Sequence, residues 1–206
     1  MNLRKMTRFL RKEDGTSAIE AVLVAPMLFV ASCELVDLFL GFRMTGLSYR
    51  AAYSVADSVS RIGETAELDQ AQLDDLHDLF KFLVKSDGDT AIRITIVERV
   101  TDSETGASRI QIKGSERSPT SIARVTDLEE IADHLPILGL ADEVIITETF
   151  SSWEPAYIDI GTRDFHETIV SRPRFTQNVE WNDGSGTDVG WGGGNHDDGS
   201  DPVPET

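Results

Sequence analysis

From Ala18 to Phe42 the chain is mostly apolar, interrupted by Glu20, Pro26, Ser32, Glu34 and Asp37. As a helix rising ~1.5 Å per residue, this stretch is ~38 Å long, enough to cross a ~30 Å hydrocarbon core with some tilt. Its charge-free centre, Ala21–Cys33, is 13 residues long and by itself has the length of a signal-peptide core. Beyond it, Ala51, Ala52, Val55, Ala56, Val59 and Ile62 recur at spacings of three and four. That spacing predicts that the helix continues to about residue 62 with one face buried, and Gly41 and Gly46 are expected to bend it.

The pattern then changes. Leu73, Leu76, Phe80 and Leu83 mark one face of a second helix over 69–85, with Asp69 and Gln72 placed as a capping box. Ile92, Ile94 and Ile96 alternate with Arg93, Thr95 and Val97, and Ile110 and Ile112 alternate with Arg109, Gln111 and Lys113. The period of two predicts a pair of strands joined by the loop "TDSETGAS". A short helix is expected over 126–134, with Thr126 as N-cap and Glu129 as its box partner. Strands are expected over 144–153 and near 168–170. The fold class is therefore α+β: a long N-terminal membrane-type helix running into a small domain with a second helix and a small antiparallel sheet. Four segments result: a leader (1–15), the long helix (16–62), the mixed domain (63–175) and a tail (176–206).

Charge narrows the partners. The chain has a net charge of -17. Arg4, Lys5, Arg8, Arg11 and Lys12 outweigh Glu13 and Asp14, so the first 15 residues carry +3 and the rest carries -20. A body this acidic repels phosphate backbones, which argues against nucleic acid. Basic residues concentrated before the apolar stretch place the N-terminus in the cytoplasm and the rest of the chain outside it. The tail holds seven acids, many glycines and no Lys or Arg, a composition expected to stay disordered. Its "GGGNHDDGSD" is one copy of a Gly/Asp pattern, too little for a stacked calcium-binding coil.

No chemistry is evident. His77, His134, His166 and His196 have no ligand spacing, Cys33 is the single cysteine, and no phosphate loop, dinucleotide fingerprint or nucleophile elbow occurs. The chain is expected to be non-catalytic, with no cofactor and no metal.

Three processing readings remain for the N-terminus. A secretory signal would end near Ala31–Ser32. A lipoprotein signal would end before Cys33 in "VASC", lipidating that cysteine and leaving an acidic envelope protein. Both sit badly with Glu13, Asp14 and Glu20. The third rests on "GTSAIE", where Gly15 stands five residues before Glu20 and a basic leader precedes an apolar helix.

That arrangement resembles a type IV prepilin processing site. From Phe9 to Gly41, "RFLRKEDG", "TSAIE", an apolar stretch with Pro26 and then Glu34 in "CELVDLF" resemble the N-terminus of TadE/TadG-like proteins, the minor pilins or pseudopilins of the tight-adherence (Flp) pilus. The resemblance covers about the first 40 residues. Ala21 follows the glutamate where the major pilins of that system carry tyrosine, which argues against a major pilin. The resemblance implies cleavage between Gly15 and Thr16 by a prepilin peptidase, and packing against other pilins of the system and its assembly machinery in the inner membrane. Glu20, the fifth mature residue, would pair with the new amine of Thr16, its own or a neighbour's. A carboxylate in apolar surroundings is tolerated when paired, and such a pair sets helix register.

Overall fold

The computed structural model describes residues 14–62, 67–86, 88–102, 106–158, 161–176 and 179–182, with the backbone alone for 14–18 and 67. Helix α1 runs Asp14–Ser60 without interruption, through Pro26 and across Gly41 and Gly46, the two positions at which the sequence predicts bends. Strand β1 (Glu67–Asp69) precedes α2 (Gln70–Val84). Strands β2 (Thr90–Thr101) and β3 (Ser108–Ser118) come next, then a 3-10 helix at Leu128–His134, β4 (Glu143–Trp153), β5 (Arg163–Ser171) and β6 (Glu180–Asn182). The chain divides into two compact units. The smaller holds α1 up to Gly46 with Trp153–Arg163; the larger holds Leu47–Ser152 and the chain from Asp164 onward.

The larger unit is built on a sheet ordered β3-β2-β4-β5. Strand β2 pairs antiparallel with both β3 and β4. The register with β3 passes from Ile96 opposite Gly114 to Val97 opposite Ile112, so Lys113 is the extra residue of a bulge. As a central strand β2 is covered on both faces. Thr95, on the face that alternation marks as polar, is fully buried, and its hydroxyl lies 3.0 Å from that of Ser115.

One face is covered by the segment between β3 and β4. Val97, Val144 and Ile146 pack with Val125, Ile131 and Leu138. The opposite face receives α1, whose Ala52 and Ala56 pack on Ile169 of β5; Ala51, Val55 and Val59 are buried on the same stripe. Small side chains there let the helix backbone approach the sheet, as the three-four spacing requires.

Helix α2 starts where the capping box places it. Asp69 accepts the N–H of Gln72 at 2.6 Å, and the Gln72 side chain accepts the N–H of Asp69. It buries Leu73, Phe80 and Val84, whereas Leu76 and Leu83 are half-buried. The 3-10 helix corrects an expectation: its N-cap is Asp127, which accepts the N–H of Glu129, not Thr126. With Asp127 one residue closer, its short carboxylate reaches the first free amide, and the tighter winding leaves no place for the Thr126–Glu129 box.

Two further differences concern strands. β5 covers nine residues, well beyond the three expected. Residues 179–182, which composition assigns to the disordered tail, are ordered: Val179 is buried, and β6 pairs in parallel with β1, Leu68 opposite Trp181. Tail residues 177–178 and 183–206, with the calcium-like pattern, lie outside the described residues, as do the middle of the β2–β3 loop and the basic leader up to residue 13.

Candidate functional site

The first part of α1 carries the residues singled out in the sequence. Gly15 and Thr16 are helical, close to Asp14, the first described residue. Four residues on, Glu20 is exposed on the face that Thr16 shares by helical spacing. A helical side chain leans toward the N-terminus, so Glu20 inclines toward the turn that Thr16 opens. Glu34 is exposed near the other end of the run, ~21 Å along the axis from Glu20. The two carboxylates are therefore not brought together.

Along this run the apolar side chains are exposed. Ile19, Val22, Leu23, Val24, Met27, Leu28, Phe29, Val30, Leu35 and Val36 are each 43–74% exposed. Burying a large apolar side chain is worth ~1.5–3 kcal/mol, so ten left open on consecutive turns amount to an unsatisfied surface, not the scattered exposure of an ordinary protein. The polar interruptions are muted. Ser32 donates its hydroxyl to the carbonyl of Leu28 at 2.7 Å, within the helix. Pro26 lacks an N–H, which opens one bond of the ladder while the helix continues on both sides. This helix is long and apolar enough to cross a membrane, a test that a signal sequence near an N-terminus also passes.

The run stops at Asp37, a residue that sequence reading treats only as a blemish in the apolar stretch. Asp37 is completely buried. Its Oδ1 accepts the N–H of Ala156 at 3.0 Å, its Oδ2 that of Ile158 at 2.9 Å, and both face the N–H of Tyr157 at 3.3 and 3.1 Å. Three successive backbone donors neutralise the cost of burying the carboxylate. A signal for this existed in the sequence. Extended backwards, the three-four stripe of Val59, Val55, Ala52 and Ser48 passes through Met44 and Gly41 to Asp37, but its polar members hide it from a hydrophobic pattern.

The sheet carries a second polar cluster that sequence reading missed. Arg93 grips Glu148 with two parallel bonds of 2.7 Å, Nε to Oε2 and Nη2 to Oε1, and its Nη1 donates to the Ala123 carbonyl. His166 Nε2 lies 3.0 Å from Glu148 Oε1, and its ring stacks on Phe150. The partners come from three strands, which no local pattern reveals. Nearby in the same unit, Ser118 donates to Asp74 at 2.7 Å, with His77 Nδ1 3.5 Å from the serine oxygen. The Ser118 bond, helped by Gln70, holds the Asp74 carboxyl below the ordinary range. This is not the wiring of a nucleophilic triad: the acid binds the serine, and the imidazole Nε2 is engaged with Thr90. Among the described residues no group of three or more His, Cys, Asp or Glu is placed to hold a metal ion.

Glu143 is the third buried acid. Its carboxylate accepts from Lys113 Nζ at 3.1 Å and from the N–H of Val179 at 2.8 Å. Burial pushes its pKa up, against the opposing pull of the Val179 N–H and Lys113.

Against family models, curated proteins and solved structures, the chain shows no match in any of the three comparisons.

Proposed function

We propose that this protein is a minor pilin or pseudopilin of a tight-adherence (Flp) pilus system, held in the inner membrane by α1 with its N-terminus in the cytoplasm and its α+β domain in the periplasm. The observation that carries the reading is the bare apolar surface of Ile19–Val36, on a helix whose later turns are built into a folded domain. Such a helix needs another solvent or another helix. Lipid meets the first need and neighbouring pilins the second, so the activity proposed is helix–helix assembly and not catalysis.

Processing between Gly15 and Thr16 is part of the proposal. The lipoprotein alternative cuts before Cys33, in the middle of α1, where opening breaks bonds on both sides. After cleavage the amine of Thr16 and the carboxylate of Glu20 supply opposite charges at the start of the apolar run.

Intact mass after expression with a prepilin peptidase tests the assignment. Loss of the first 15 residues, abolished by Gly15→Val, is the expected result. Loss of about 32 residues with lipid added to Cys33 establishes the lipoprotein instead, and a chain that keeps its leader beside an active peptidase refutes prepilin-type processing.

A further inference from the structure

We propose that the turn Trp153–Ile158 is a lipid-contacting collar, held beside α1 by the Asp37 carboxylate and seated in the interfacial layer where the helix leaves the bilayer. This rests on the reading of Ile19–Val36 as a membrane span.

The turn is placed by two contacts within one unit. The Trp153 ring lies over Gly41, 3.4 Å from where a Cβ would stand. Residues 156–158 are fastened to Asp37, one helical turn closer to the apolar run. From Trp153 to Ile158 the chain therefore travels along the helix toward the run and stops at its edge. Ile19–Val36, the eighteen residues before Asp37, is ~27 Å long as a helix, close to a hydrocarbon core of ~30 Å. A carboxylate at that depth is costly unless it is shielded and bonded, and Asp37 is both. It marks the level at which lipid ends.

The side chains at this level suit the interface. Tyr157 is 63% exposed, and Phe39 and Phe42 are exposed at the same level on other faces of the helix. Tyrosine and tryptophan concentrate where headgroups meet acyl chains, because one end of each ring system is polar. Leu35, Leu38, Phe39 and Phe42 line a shallow apolar groove that continues the surface of the run without a break. That continuity selects lipid as the occupant over a separate protein site. The charged side chains here, Glu34, Arg43 and Glu154, do not add up to a basic patch, so zwitterionic lipid suffices and anionic headgroups are not required.

The test uses the full chain in phosphatidylcholine bilayers containing lipids brominated at shallow or deep acyl positions. With Trp181→Phe and Trp191→Phe, Trp153 is the only tryptophan. A second chain with Trp153→Phe and Phe29→Trp added reports on the run. The Phe29→Trp reporter should be quenched most by deep bromine, and Trp153 most by shallow bromine. Asp37→Ala should reduce Trp153 quenching at least twofold and leave the Phe29→Trp reporter unchanged; Asp37→Asn, which keeps one carbonyl oxygen, should fall between. Trp153 unquenched beside a quenched Phe29→Trp reporter overturns the collar and leaves the span standing. Both unquenched overturns the span and the collar with it. Full Trp153 quenching in the Asp37→Ala chain overturns the role of Asp37.

Discussion

The Glu143 carboxylate accepts the backbone N–H of Val179 at 2.8 Å, although 36 residues separate them. The bond ties the chain after β5 back to the first residue of β4. Val179 is buried beside it, and β6 then pairs with β1. Composition alone assigns this stretch to a dispensable tail.

Truncation separates the two views. A chain ending at Phe175 loses the buried Val179 side chain, worth ~1.5–3 kcal/mol. It also loses one bond to a buried carboxylate, worth ~1.5–3 kcal/mol. For a protein of this size each kcal/mol shifts Tm by ~2–4 °C, so a fall of at least about 6 °C is expected. A chain ending at Asn182 keeps both contacts and should melt close to the full-length protein. Thermal unfolding followed by circular dichroism checks this. Equal melting of the Phe175 and Asn182 truncations would show that the strand contributes nothing.

The same carboxylate predicts a pH dependence. Burial raises the pKa of Glu143 in the folded state above its unfolded value. A raised acid binds its proton more tightly when folded, so its contribution to stability falls as pH rises from the ordinary glutamate value through the raised one. Glu143→Gln removes that titration. The stability of Glu143→Gln relative to the parent should therefore increase with pH across this window and level off above it. Denaturant unfolding of both proteins over a pH series measures the difference; a flat line contradicts the raised pKa.

Arg93 and Glu148 make a well-buried ion pair in the sheet, with side chains 13% and 4% exposed. Arg93→Met leaves the Glu148 charge buried with only His166 beside it, and should cost ~3–5 kcal/mol. Arg93→Lys keeps the charge but not the two-pronged geometry and should recover part of the loss. Adding Glu148→Leu to Arg93→Met should restore much of the stability, since no unpaired charge remains. Equilibrium denaturation of the four proteins gives the coupling. A double variant no more stable than Arg93→Met would show that the pair is not a unit.

Glu20 provides the test of assembly. If its carboxylate pairs with the amine of Thr16 on a neighbouring subunit, Glu20→Ala should still be inserted and cleaved, because the segment becomes more apolar and Gly15 is untouched. The domain should fold, since its core lies in later turns of α1. Cross-linking to partner pilins and pilus formation should fall, and Glu20→Gln should be nearly as harmful because it keeps shape but not charge. Normal cross-links and normal piliation in Glu20→Ala would exclude the pairing role.

What the sequence determined by itself was local in origin. The three-four spacing of Ala51 to Val59 and the apolar run before it specified α1, because helix faces repeat every 3.6 residues whatever they pack against. Asp69 and Gln72 specified the start of α2, since both capping bonds close within four residues. The alternation of Ile92–Ile96 and Ile110–Ile112 specified β2 and β3, and their short connection made them neighbours. Thr16, Glu20, Pro26 and Glu34 were likewise legible as positions along one helix, whereas Gly15, read as the end of an extended leader, is itself helical.

Tertiary structure alone decided the rest. Strands β1 and β6 have three residues each, too few for a period, and they exist only because Leu68 and Trp181 meet across more than a hundred residues. The same limit hid the distant partners of three buried acids: Val179 for Glu143, Arg93 and His166 for Glu148, and the amides of 156–158 for Asp37. A carboxylate reads as surface in a sequence because burying it is costly on its own. Whether distant donors offset that cost is settled only when the chain folds and brings them within 3 Å, as it does for Asp37 at the end of the apolar run.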